Sequence, residues 1–192
     1  MARPKEFDGE AALGAAIALF SQHGFEGTST EALLRAMKIS RQSLYDTFGD
    51  KRQLYLAALR RYNQENVADF VRAMMAAPTP LTGVEYAFMA FIAKAVASDH
   101  PSCLGVSAIC EFGRADAEIA SIGDASAHTL AQALKTQLTA ARAAGEMGTD
   151  VDVPTAAAFL GATLAGLKVS ARAGADADTL RRVARLALKS LK

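Results

Sequence analysis

Residues 28–54 read TSTEALLRAMKISRQSLYDTFGDKRQL, and this stretch decides the fold. Thr28, Ser29 and Thr30 supply hydroxyls that can accept hydrogen bonds from the free N–H groups opening a helix. Glu31 follows Thr28 at the three-residue spacing of a capping box. Leu33, Leu34 and Met37 then recur at helical spacing and form one apolar stripe. Lys38-Ile39 makes a short link, and Ser40 reads as the N-cap of a second short helix. Leu44 and Phe48 anchor that helix inward, which leaves Arg41, Gln42, Ser43, Tyr45 and Thr47 facing away. Asp50 caps the next helix and places Lys51 in its first turn. The pattern is a helix-turn-helix that runs into a long helix.

The outward set has a definite chemistry. Arg41 can make a forked pair with guanine, Gln42 can do so with adenine, and Ser43 can reach bases or phosphates. The Tyr45 hydroxyl has the reach for a phosphate. Lys51, beside the free N–H groups of its helix, could hold another. The same residues also fit an ordinary helical hairpin with a solvated polar face.

Working outward, residues 12–55 resemble the DNA-binding domain of the TetR family of bacterial transcriptional regulators. The resemblance is carried by Ala16-Ile17-Ala18-Leu19-Phe20, Gly24-Phe25, Thr28-Ser29, Ile39-Ser40, Leu44-Tyr45, Phe48 and Lys51. Lys38 departs from the pattern, because the family usually has glycine at this turn and lysine takes a positive φ only at some cost. The resemblance implies an all-α chain of about nine helices. A three-helix DNA-binding domain would span residues 1–49, and an effector-binding and dimerisation domain residues 50–192. It implies a ligand- or electrophile-responsive regulator, a repressor bound as a homodimer to a near-palindromic operator. Thr28, Thr30, Ser40, Arg41, Gln42, Ser43, Tyr45 and Lys51 are then the expected contacts to double-stranded DNA.

Composition agrees with helices. The chain has 192 residues, 51% of them hydrophobic, with five prolines and no tryptophan. Few stretches alternate with period two, so no sheet is expected. Net charge is +1, which argues against sequence-independent coating of nucleic acid. The excess is uneven: residues 1–61 carry a net +2 and the remainder −1. Arg3, Pro4 and Lys5 form a short basic arm that could enter a minor groove or simply precede the first helix. The start, MARPKEF, has no apolar core of a signal peptide. The longest apolar run, Ala156 to Leu167, is too short for a bilayer. A cytoplasmic location with no membrane partner is expected, and no cofactor or metal set is apparent.

Helices are expected at about 8–23, 50–76, 82–98, 102–112, 116–144, 154–171 and from 177 onward, in addition to the two short ones. Gly24 suits the end of the first. His100-Pro101 breaks the chain before the fourth of these segments.

Three constellations lie beyond residue 60. Phe70, Met74, Phe88, Met89, Phe91, Ile92, Leu104 and Phe112 are rich in aromatic and thioether groups. The family resemblance makes them candidate walls of an effector pocket, with Cys103 beside them and His128 and Tyr86 as polar contacts. Plain core is the other reading. Cys103 and Cys110 stand seven residues apart, about 10 Å along one helix, so a straight helix excludes a disulfide between them. Some TetR-like regulators that sense electrophiles carry Gly-Cys-Leu where this chain has Ser102-Cys103-Leu104, which makes Cys103 and Cys110 candidate sensing thiols. Small buried hydrophobes are the alternative. Ala157, Gly161 and Ala165 form a ridge of small residues. By resemblance, the last two helices, with Ala157, Leu160, Gly161, Leu164 and Leu186, would pair with a second subunit; the alternative is packing within the chain. Rival functions are a thiol-dependent enzyme using Cys103 or Cys110, with His100 as activator, and a helical adaptor.

Overall fold

The computed structural model describes residues 8–97 and 103–192. Arg3, Pro4, Lys5, His100, Pro101 and Ser102, and the expectations resting on them, lie outside the described residues. Among the described residues there are nine helices and no strand: α1 Gly9–His23, α2 Thr30–Met37, α3 Arg41–Phe48, α4 Lys51–Met75, α5 Pro80–Val96, α6 Leu104–Phe112, α7 Ala117–Ala143, α8 Val153–Arg172 and α9 Ala177–Lys189.

Short polar side chains start most of these helices by accepting backbone N–H bonds that no turn of helix satisfies. Asp8 accepts from Glu10 and Ala11 at 2.9 and 3.3 Å. Ser40 accepts from Ser43 at 3.0 Å, Asp50 from Gln53 at 2.8 Å, Asp152 from Thr155 at 2.9 Å and Asp176 from Thr179 at 2.8 Å. The capping box expected from Thr28 and Glu31 does not form. Ser29 is the cap of α2 and accepts from Ala32 at 3.1 Å. Proline sets the start of α5, which begins at Pro80 rather than near residue 82, because the missing N–H costs nothing in the first turn.

The chain divides into two compact units. The first comprises residues up to 63 together with 103–123, and the second residues 64–97 and 124–192 among those described. This division differs from the expected boundary between residues 49 and 50. The opening turns of α4, all of α6 and the start of α7 pack with the helix-turn-helix, because their apolar side chains complete its core. Leu54, Tyr55, Leu56, Leu59, Leu104, Ala108, Ile119 and Ile122 join Ala16, Phe20, Leu33 and Leu44 in one buried cluster. Ion pairs brace it. Arg52 donates to Asp116 at 2.7 Å, Arg60 to Glu118 at 2.8 Å and Arg61 to Glu10 at 2.5 Å. The Asp116 carboxyl is held below its usual range, first by the bond from Arg52 and then by backbone amides at the start of α7.

The second unit has its own core. Phe70, Met74, Phe88, Ile92, Leu134, Leu138, Leu160, Leu164, Leu167, Leu180 and Leu188 are buried together, with α5 packed on α8 and α9. The presumed pocket walls are therefore split. Phe70, Met74, Phe88, Phe91 and Ile92 belong to this core, whereas Leu104 and Phe112 belong to the first. His128 is exposed on α7, so the expectation of a histidine contact inside an apolar pocket is corrected.

The last two helices bring another correction. Ala157, Leu160 and Leu164 are at most 3% exposed and face α8's own neighbours. Leu186 is 70% exposed, and Phe159, Val169 and Val183 also stand out to solvent. A helix of period 3.6 cannot turn residues 157, 160 and 164 inward and also present them outward. The outward face of α8 instead carries Ala158, Phe159, Ala162, Ala165, Gly166 and Val169. The run thought too short for a bilayer belongs to a 20-residue helix that length and composition alone would allow to span one, although its leucine side is taken up by packing in the second unit.

Candidate nucleic-acid interface

The site begins with the geometry of the turn between α2 and α3. Lys38 ends α2 in the left-handed region, at φ 55° and ψ 43°, and is the one non-glycine residue with positive φ among those described. The lysine thus occupies the conformation that glycine would take without penalty, and the turn closes with N–H bonds from Lys38 to Arg35 at 3.3 Å and from Ile39 to Leu34 at 3.2 Å. Ile39 packs against the core of the first unit.

α3 has one fully buried side chain, Leu44 at 0% exposure, with Phe48 half-buried behind it. These two anchor the helix, so Arg41, Gln42, Tyr45 and Asp46 are exposed and Ser43 half-exposed. The forked donors are already engaged. The Arg41 guanidinium meets Glu31 of α2 at 2.5 Å, and Gln42 Nε2 donates to Asp46 Oδ1 at 2.7 Å. The Glu31 carboxyl is held below its usual range by a backbone amide bond and then by Arg41. Both pairs are solvent-exposed, so exchanging them for a base or phosphate costs little. Ser40 and Ser43 share a hydroxyl bond of 2.9 Å.

Thr28 does not belong with this set. It is 1% exposed, and its hydroxyl donates to the Gly24 carbonyl at 2.6 Å, tying the end of α1 to the start of α2. Thr30, the first residue of α2, is half-buried at the surface. Lys51 opens α4, and its ammonium lies 4.2 Å from the centroid of the Phe25 ring. Such contacts favour one placement of a flexible side chain.

Phe25 is the functional neighbour that sequence reasoning missed. Its N–H donates to the Glu111 carboxylate of α6 at 2.8 Å. Its ring packs at 5.2 Å from Tyr55 and 5.7 Å from Phe112. A Cβ on Gly24, whose φ is 72°, would come within 1.6 Å of the Glu111 carboxylate, so glycine is required there for close approach as well as for its torsion. α6 therefore holds the residue on which Lys51 rests. Tyr55 is fully buried, its hydroxyl has no hydrogen-bond partner among the described residues, and burial, followed by the Glu111 charge, pushes its pKa well above the usual phenol range.

The cysteines are on the same unit. Cys103 is at the N-cap position of α6 and partly buried, and Cys110 is exposed two turns on. Neither is in a disulfide, and Cys110 is not the buried hydrophobe that one reading of the sequence allowed.

An exposed polar helix, set on a buried leucine and preceded by a tight turn, has the geometry of a helix-turn-helix protein. Comparison with known proteins gives the same class. The family "Bacterial regulatory proteins, tetR family" matches residues 12–58. The chain is 32% identical over 183 residues to "Uncharacterized HTH-type transcriptional regulator YezE" of Bacillus subtilis (strain 168), covering 94% of each chain. It is 30% identical over 189 residues to "HTH-type transcriptional repressor ComR" of Escherichia coli (strain K12), covering 97% of this chain and 90% of that one. Among solved structures, a cysteine mutant of the TetR family transcriptional regulator CifR, complexed with 26-base-pair double-strand operator DNA, superposes with a TM-score of 0.86. It is 28% identical and covers 99% of this chain and 100% of the other. The protein belongs to the TetR family and is a DNA-binding transcriptional regulator.

Proposed function

We propose that this regulator is a cytoplasmic, effector-responsive repressor that binds a near-palindromic operator as a homodimer. The observation that carries the reading is α3: Arg41, Gln42, Ser43 and Tyr45 are directed outward from a helix seated on Leu44. In this reading Arg41 and Gln42 leave Glu31 and Asp46 to contact bases. Tyr45, Thr30, Ser40 and Lys51 contact phosphate or sugar, and Thr28 acts only as a brace. The similarity to a repressor and to an operator-bound regulator supports it.

One reading helix reaches few base pairs, and two-fold symmetry doubles them, with half-sites about 34 Å apart when they occupy adjacent turns. The exposed apolar residues Phe159, Val169, Val183 and Leu186 favour pairing through α8 and α9. The cost of leaving them in water would be relieved by a symmetric partner. An effector preferring one of two conformations would shift the spacing of the reading helices. α4, which contributes residues to both compact units, is the lever. Modification of Cys103 or the exposed Cys110 is a second route to the same shift.

The test is a binding titration on DNA from beside the protein's own gene, with excess random competitor. Competitor-resistant binding with two-fold footprint symmetry is expected. Binding that competitor removes in proportion to its concentration would end the operator reading. Repetition after thiol alkylation, on the parent and on Cys103→Ser and Cys110→Ser, separates a thiol route from a non-covalent one.

A further inference from the structure

We infer that a cavity in the second unit, bounded by α4, α5, α7 and α8, takes a small organic anion with an apolar body. The inference names the ligand class for the effector response proposed above and rests on that response only for its regulatory meaning. The cavity measures about 290 Å³, close to the lower end of the ~300–1,000 Å³ typical of small-molecule sites. That size suits a ligand of one ring or a short chain. Phe70, Phe91, Leu130 and Leu164 supply apolar wall. Phe70 is fixed by an edge contact with Phe88 at 5.6 Å, so this wall exists before a ligand arrives.

The charges around the wall are unequal. Arg72, Lys94 and Lys168 line the cavity with a single carboxylate, Asp69. Asp69 is already shared: it accepts from Lys94 at 2.8 Å and from Arg72. Lys168, on α8 beside Leu164, is half-buried and has no hydrogen-bond or ion-pair partner among the described residues. Its stem lies along the cavity while its ammonium is not engaged by any carboxylate of the described residues, so it can pair with a ligand's carboxylate, phosphate or sulfonate. An ammonium ligand would add a fourth cation against one shared carboxylate. A neutral ligand would cover the apolar wall and gain nothing from Lys168. The two demands, an anionic head at Lys168 and an apolar body on Phe70 and Phe91, together define the class.

The experiment is calorimetric titration of the full-length protein with hexanoate and phenylacetate, their neutral amides, and hexylamine. Saturable binding of the two anions is expected, about tenfold or more tighter than the amides, with hexylamine weakest. Lys168→Gln should remove most of that anion preference and leave amide binding and operator affinity unchanged, and Lys168→Arg should restore it. Circular dichroism confirms that both variants fold. Equal binding of acids and amides, no saturation by either anion in the millimolar range, or an unaltered preference in Lys168→Gln would overturn the proposal. Operator affinity is measured separately in the presence of each anion. Anion binding that leaves operator affinity unchanged would keep the site and remove the effector role from the function proposed above.

Discussion

α3 and α8 are each seated on buried leucine, Leu44 on α3 and Leu160, Leu164 and Leu167 on α8, and they differ in what the opposite side shows to water. On α3 the exposed side is Arg41, Gln42, Tyr45 and Asp46; on α8 it is Ala158, Phe159, Ala162, Ala165, Gly166 and Val169. The first face forfeits little hydration when alone and offers directional donors to a partner. The second offers area and close approach, with no direction encoded in hydrogen bonds. One helix is thus suited to reading a nucleic acid, and the other to meeting a similar apolar surface. The buried residues explain why each helix exists, and the exposed ones state what it is for.

The comparison is broken most severely at the shared element, the buried leucine. Leu44→Ala should destabilise the first unit by about 3–4 kcal/mol, from lost burial and the cavity left behind, and abolish operator binding; denaturant unfolding followed by circular dichroism measures this. Operator affinity close to the parent's would show that α3 does not depend on Leu44 for its position.

Leu186→Glu, on the other apolar face, should leave the folded protomer intact, since the side chain is 70% exposed. It should weaken a dimer by about 2–3 kcal/mol, because symmetry places the substitution there twice. Sedimentation equilibrium would show monomer appearing at concentrations where the parent remains paired. An unchanged association constant would move the interface away from α9.

Arg41→Ala sharpens the polar side of the contrast. Specific operator binding should fall by about 1–3 kcal/mol with little change on random DNA, if Arg41 reads a base. Equal loss on both would assign it to phosphate. The smallest effect belongs to the turn between the two short helices. Lys38→Gly should stabilise the protein by about 0.5–1 kcal/mol, since the left-handed torsion that strains lysine is free for glycine, less the greater flexibility glycine gives the unfolded chain. A lower melting temperature would contradict it.

Most of the fold was legible because helix caps and apolar spacing are local signals. Asp8, Ser40, Asp50 and Asp176 begin helices as their sequence neighbours suggest. Thr28 was read both as a helix cap and, by resemblance, as a DNA contact, and only packing reveals that its hydroxyl turns back to Gly24. Phe25 was seen as part of a resemblance, without the role that Glu111, 86 positions later, gives it. The small-residue ridge at 157, 161 and 165 was recognised as periodic, but periodicity alone does not say which of two opposite faces is turned inward. Lys94 and Lys168 escaped notice for a related reason: a lysine on a helix reads as solvated until another helix is placed beside it.

The sequence by itself determined the nine helices, the helix-turn-helix and the chemistry of the side chains on α3, because capping, 3.6-residue spacing and turn torsions act over a few residues. Tertiary structure alone decided that α6 braces Phe25, that Leu160 faces inward while Leu186 faces out, and that three cations share a cavity with one carboxylate. Those outcomes depend on which helices become neighbours, and neighbours distant in sequence are chosen by the burial of the whole core rather than by any local pattern.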